Sequence, residues 1–244
     1  MKDSFEVPQN SRTIQQVVTD RIRGAILDGT FKPNERLNQA ELAERLNVSR
    51  IPTREALRTL EGESLVKFYP HRGAVVSAMS PEEIEEVYEM RIWLEISAAQ
   101  RAVKRIDERQ LQKVRVLEGQ TAKATEPELW LSLNSRFHEA IYEASGWIRL
   151  LSVIGMLRNL TTPYMQMYVS HQFNRDRANC EHAEILEALE VRDTIGLKAV
   201  LRRHLGDACQ GILAYLKKIE QDSTLSAARA AVNKSGLIRL RGQA

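Results

Sequence analysis

Apolar residues at Ile14, Val17, Val18, Ile22, Ala25 and Ile26 recur at intervals of three and four, which predicts a helix from Ser11 to about Gly29 with one buried face. The stretch Thr30–Leu37, with the turn signal Lys32-Pro33-Asn34-Glu35, reads as a connection. Asn38 then stands as an N-cap for a short helix Gln39–Leu46. Asn47 and Val48 break the period, and Ser49 can cap a third helix, Arg50–Glu61, in which Pro52 falls within the first turn. After Gly62 the pattern changes to Leu65–Tyr69, a tight turn Pro70-His71-Arg72-Gly73, and Ala74–Val76, which predicts strand, turn, strand.

Helix, helix, short turn, helix and hairpin in that order form a winged helix-turn-helix, with Arg50–Glu61 in the place of the recognition helix. Ser80-Pro81-Glu82-Glu83 carries a capping box with proline at the first helical position, so residues 1–78 make one domain and a second begins at about residue 79. Helical periodicity continues near 81–105, 107–123, 127–144, 147–170, 175–192 and 194–220, with Pro163 set to kink the fourth of these. Residues 79–222 therefore read as an all-helical antiparallel bundle, and residues 223–244 as a tail or a short helix. The fold class is mainly α.

Composition agrees: glycine (12) and proline (7) are sparse, 43% of residues are hydrophobic and 27% are charged, which excludes a disordered, collagenous or repeat-rich β chain. The net charge is only +3, so any affinity for nucleic acid has to be local. Cys180 and Cys209 form no CxxC pair and read as small buried hydrophobes in a cytosolic, cytoplasmic protein. No apolar run approaches the ~18 residues of a membrane span.

The third helix is expected to expose Arg50, Thr53, Arg54 and Arg58, with Ile51, Ala56, Leu57 and Leu60 turned inward against Leu42, Ala43 and Leu46. Arginines four apart share a helix face, and a guanidinium offers two parallel donors to guanine O6 and N7, or to a phosphate. Residues 1–78 hold 12 Lys+Arg and 10 Asp+Glu, so the case for DNA lies in their placement. The alternative use of Arg54 and Arg58 is in surface pairs with Glu55, Glu61 or Glu63.

The segments Glu35-Arg36-Leu37-Asn38, Glu41–Leu46, Val48–Glu61 and His71-Arg72-Gly73 resemble the DNA-binding domain of the GntR family of bacterial transcription regulators. The resemblance implies that Arg50, Thr53, Arg54 and the wing residues His71, Arg72 and Gly73 contact operator DNA, beside the cap residue Ser49 and with Arg36 and Arg58 near the backbone. Thr53 stands where valine is commoner in that family.

In the second domain His138, His182 and His204 each fall in the middle of a predicted helix, and Asn134 lies one turn before His138. An isolated histidine in a helix is ordinarily a hydrogen-bonded core side chain, whereas three imidazoles and a carboxamide oxygen that converge inside a bundle can bind a divalent metal. The runs Asn134–Ile141, Glu181–Leu186 and Arg203-His204-Leu205 look like the effector-binding domain of the FadR-type branch, the FCD-like domain. That resemblance implies metal ligands at Asn134, His138, His182 and His204, for zinc, nickel or manganese, with Asp commoner at the position of Asn134. Arg91 and Glu95, one turn apart, match the same pattern, with Arg91 either clamping an effector carboxylate or simply pairing with Glu95. Met165, Met167, Tyr164 and Tyr168 read as core or pocket lining.

The chain thus reads as a homodimeric, ligand-responsive repressor that binds double-stranded operator DNA and a small organic acid. The two rivals are a metal-dependent hydrolase built on the histidines, with Glu139, Glu181 or Glu184 as base, and a regulator for which the ion itself is the signal.

Overall fold

A computed structural model describes residues 12–170 and 172–240, and these divide into two compact units. Through residue 80 the elements are α1 (Ile14–Leu27), β1 (Arg36–Leu37), α2 (Gln39–Arg45), α3 (Arg50–Gly62), β2 (Val66–Tyr69) and β3 (Gly73–Val76). They are followed by α4 (Pro81–Val103), α5 (Glu108–Lys123), α6 (Pro127–Glu143), α7 (Ile148–Val169), α8 (Gln172–Glu190) and α9 (Thr194–Leu240).

The first unit comprises residues up to Ser80 together with Ser152–Gln166 of α7. Thr13 caps α1 in a reciprocal box with Gln16, two residues later than the predicted start at Ser11, which lies outside the described residues. Val18, Ile22 and Ile26 of α1 meet Ala56, Leu57 and Leu60 of α3 in a core closed by Leu42, Leu65, Val66, Ala74 and Val76. Leu160 packs at its edge, the Gln166 side-chain amide donates to the Asp28 carbonyl at 2.9 Å, and the Met79 N–H donates to the Tyr164 hydroxyl at 2.6 Å. Arg23 clasps Glu63 through two hydrogen bonds of 2.8 and 2.7 Å, tying α1 to the end of α3.

The hairpin is part of a three-stranded sheet in the order β1-β3-β2. β1 pairs antiparallel with β3 through Arg36↔Val75 and Leu37↔Ala74, where the sequence pattern predicts only a connection. A two-residue strand is too short to show alternation. The turn has positive φ at His71 (63°) and at Gly73 (74°), the latter a conformation that glycine adopts without penalty.

The second unit, Pro81–Leu151 with Met167 onward, is all-helical among the described residues: α4 packs on α9 and α6, α5 on α6 and α8, and α8 on α9. Asp107 caps α5 through a second reciprocal box with Gln110. Its core includes Ile84, Phe137, Ile141, Ile185, Leu197, Leu201 and Ile212. α9 continues to Leu240, so residues 223–240 extend that helix, while residues 241–244 of the expected tail lie outside the described residues. Pro163 sits inside α7 without ending it. No helix among the described residues is long and apolar enough to cross a membrane.

Candidate functional site

Two groups of side chains carry chemistry. The first lies on α3 and the hairpin. Residues 53, 56, 57 and 60 form the buried stripe of α3, at the offsets i, i+3, i+4 and i+7 of an amphipathic helix. Arg50, Arg54 and Arg58 are left exposed on the other side. Two expectations are corrected here. Thr53 is completely buried and its hydroxyl donates to the Ser49 carbonyl at 3.1 Å, so it faces the core rather than outward. Ile51, assigned to the inner face, is 68% exposed. The spacing contains the signal for both, since residue 53 shares the register of 56, 57 and 60 and residue 51 does not.

Ser49 occupies the cap position without a side-chain cap bond, its backbone oxygen serving Thr53. Among the described residues Arg54 reaches only its sequence neighbour Glu55, through two contacts of 3.2 Å. Arg58 is held more firmly, paired with Glu61 at 2.7 Å and lying over the Phe68 ring of β2 at 4.1 Å from its centroid. Arg36, His71 and Arg72 are exposed and Gly73 is half-buried. The Arg72 N–H donates to the Pro70 carbonyl at 2.8 Å, which fixes the tip.

The second group is inside the helical unit. His138 of α6, His182 of α8 and His204 of α9 are all buried, and their candidate ligand atoms lie within 4.8 Å of one another. Trp130 stacks on the His182 ring at 6.0 Å between centroids and is itself oriented by a 2.9 Å hydrogen bond from its indole N–H to Asn179. The Phe137 ring lies 4.7 Å from the same ring, centroid to centroid.

The Nδ1 atoms of two of these rings are engaged by their neighbours. His204 Nδ1 lies 2.6 Å from the Glu181 carboxylate, an acceptor, so Nδ1 carries the proton. The Tyr142 hydroxyl donates to Glu95 at 2.7 Å, which leaves its oxygen to accept from His138 Nδ1 at 3.3 Å. The two Nε2 atoms, the outward-facing donors of these rings, lie 3.2 Å apart. Asn134 adds a buried carboxamide Oδ1 with no hydrogen-bond partner among the described residues. This donor set fits a divalent metal ion.

Behind His138 the chain of contacts runs from Tyr142 to Glu95 and on to Arg91, whose Nε donates to Glu95 at 2.8 Å in a pair shielded from solvent. Burial works against the Arg91 charge, but Glu95 and Tyr88 outweigh it and hold the pKa above its ordinary value. Burial also tends to raise the Glu181 carboxyl; the hydrogen bond from His204 and the charges of Arg177 and Arg203 overcome this and hold it below the usual carboxylate range.

Glu181, weighed from the sequence only as a possible base on a helix surface, is instead buried and engaged with His204, while Glu139 and Glu184 are exposed. Tyr142 was missed, although it lies one turn from His138 on the same face. Tyr88 was missed too; it is buried, with the Arg91 guanidinium over its ring at 4.5 Å from the centroid. Its spacing of three from Arg91 was the available signal. Cys209 is buried but Cys180 is exposed, which corrects the expectation for the latter. His71 stays apart in the hairpin, and His171 lies outside the described residues.

Comparison with known proteins matches residues 14–76 to the bacterial regulatory proteins of the gntR family and residues 86–207 to the FCD domain. The chain is 27% identical over 203 residues to the uncharacterized HTH-type transcriptional regulator YdhC of Bacillus subtilis (strain 168), covering 82% of this chain and 91% of that protein. It is 24% identical over 217 residues to the HTH-type transcriptional repressor RspR of Escherichia coli (strain K12), covering 88% and 93%. Among solved structures, E. coli McbR/YncC has a similar fold, with a TM-score of 0.73 at 24% identity over 86% of this chain and 100% of that one.

Proposed function

The chain belongs to the GntR family of bacterial regulatory proteins and carries an FCD domain, so it is a DNA-binding transcriptional regulator, and we propose that it is a repressor governed by a small organic acid. In this reading Arg50 and Arg54 enter the major groove, His71, Arg72 and Gly73 of the wing follow the neighbouring groove or backbone, and Ser49, Arg36 and Arg58 hold phosphates. Thr53 is reassigned from base contact to the packing that orients those arginines. A homodimer would present two such units to the halves of a near-palindromic operator. Repression is supported by one relative, the HTH-type transcriptional repressor RspR, with which the chain aligns over most of its length.

The observation that carries the effector reading is the gathering of His138, His182 and His204 from three helices, with Asn134 on the same helix as His138 and the Arg91–Glu95 pair behind it. Asn134, His138, His182 and His204 would hold a divalent ion, zinc or nickel foremost, whose role is to bind and polarise an oxygen of the acid. Arg91 remains cationic at any working pH and offers a planar fork matched to a carboxylate. Tyr88 would add a phenolic hydroxyl beside that fork. The acid acts only if it binds the DNA-competent and DNA-incompetent arrangements with different affinity. The hydrolase alternative is set aside because the family and the relatives are transcriptional regulators rather than enzymes.

The test is to select bound duplexes from random DNA with the purified protein, then titrate the complex with metal alone and with metal plus mono-, di- and tricarboxylic acids. Release by an acid, lost in Arg91→Ala, is expected. Release by the metal alone would make the ion the signal, and release by neither would overturn the effector reading.

A further inference from the structure

The ligand set in the helical unit contains no negative charge, and the surrounding contacts keep it that way. Of the acids buried near the rings, Glu181 is occupied by His204 Nδ1, and Glu95 by Arg91 and Tyr142. Among the described residues the group of convergent ligand atoms consists of three imidazoles and no carboxylate. The fourth candidate is Asn134, a neutral amide whose buried oxygen has no hydrogen-bond partner among the described residues.

We propose that this site is built for a nitrogen-preferring divalent ion of the nickel, cobalt and zinc type and discriminates strongly against manganese and magnesium, with Asn134 as the residue that sets the discrimination. This rests on the reading of the cluster as a metal site. Imidazole suits zinc, copper and nickel, whereas carboxylate, carbonyl and water suit manganese, magnesium and calcium. An oxygen-preferring ion gains little from three neutral nitrogens and depends on the anionic ligand that an aspartate at 134 would provide. A nitrogen-preferring ion depends less on that charge. The Glu181 carboxylate also makes His204 a better donor by hydrogen bonding to its far nitrogen, strengthening a metal–nitrogen bond without adding charge to the ligand set. Exchange of Asn134 for aspartate changes one atom of the side chain and its charge while leaving the shape, which isolates the effect.

The experiment is equilibrium dialysis of chelator-stripped full-length protein against Ni2+ and against Mn2+, with bound metal read by elemental analysis. Wild type is expected to bind Ni2+ at least about a hundredfold more tightly than Mn2+. Asn134→Asp is expected to tighten Mn2+ by roughly tenfold or more and to narrow that ratio accordingly. Asn134→Ala, which places no charge in the core, is expected to weaken Ni2+ while keeping the preference over Mn2+. Comparable Ni2+ and Mn2+ affinities in wild type, or an unchanged ratio in Asn134→Asp, would overturn the proposal while leaving the metal site in place. Absence of Ni2+ binding to wild type, or binding undiminished in both His182→Ala and His204→Ala, would overturn the metal-site reading itself.

Discussion

Arg54 and Arg58 share a face of α3 but differ in what holds them, and this predicts different consequences when each is replaced by alanine. Arg58 spans from Glu61, at 2.7 Å, to the face of Phe68, at 4.1 Å. An exposed cation–π contact contributes about 0.5–1 kcal/mol and an exposed helical pair about 0.3–0.5 kcal/mol, so redirecting this guanidinium to DNA forfeits up to about 1.5 kcal/mol of local stability. Among the described residues Arg54 meets only Glu55, at 3.2 Å, with most of its side chain in water, and loses almost nothing on turning to a base. A bidentate arginine–guanine contact is worth about 1–3 kcal/mol, roughly five- to a hundredfold in affinity. Arg54→Ala should therefore weaken a selected duplex by that factor with an unchanged urea midpoint. Arg58→Ala should weaken it less than about fivefold, lower the salt slope by about one, and destabilise the first unit by about 1 kcal/mol. Fluorescence anisotropy at several salt concentrations, with urea unfolding of the same samples, measures both quantities. If Arg58→Ala impairs binding more than Arg54→Ala does while leaving the unfolding midpoint in place, the assignment of the two side chains is wrong.

Two further outcomes follow from the helical unit. Glu95→Ala leaves a buried guanidinium without its neutralising carboxylate and the Tyr142 hydroxyl without its acceptor, so urea unfolding should show a loss of about 3–5 kcal/mol, against less than about 0.5 kcal/mol for the exposed Glu86→Ala; a loss below 1 kcal/mol would show that the pair is not part of the core. Burial pushes the Cys209 thiol up to about 11, while Cys180 is exposed, so iodoacetamide at mildly alkaline pH should label Cys180 first by mass spectrometry, and equal rates would refute the packing of α9.

The elements of this fold are legible in the chain because its helices are strongly periodic and capped by recognisable residues, as at Asn38 and Asp107. The hairpin is legible through its turn, since a glycine follows a basic tip. What escaped is of two kinds. β1 is two residues long and exists only because β3 offers it an edge, a tertiary cause with no local pattern. Glu181 looks from its neighbours like any acid on a polar helix face, and only the approach of α9 turns it into the partner of His204. Thr53 and Tyr142 are different, since helical spacing alone places them correctly once it is applied without regard to residue polarity. The three histidines could be nominated from sequence, but convergence within 4.8 Å is a property of how α6, α8 and α9 pack.

Those three rings come from positions 138, 182 and 204, so a single guest held by all of them closes two long stretches of chain at once. A guest captured only by the folded form enters the folding equilibrium by mass action, adding about 2.7 kcal/mol at a hundred times its dissociation constant. The melting temperature of the bundle should then track free guest concentration, and a chelator should soften the scaffold as well as empty it. Sensing and folding would be two readings of one equilibrium.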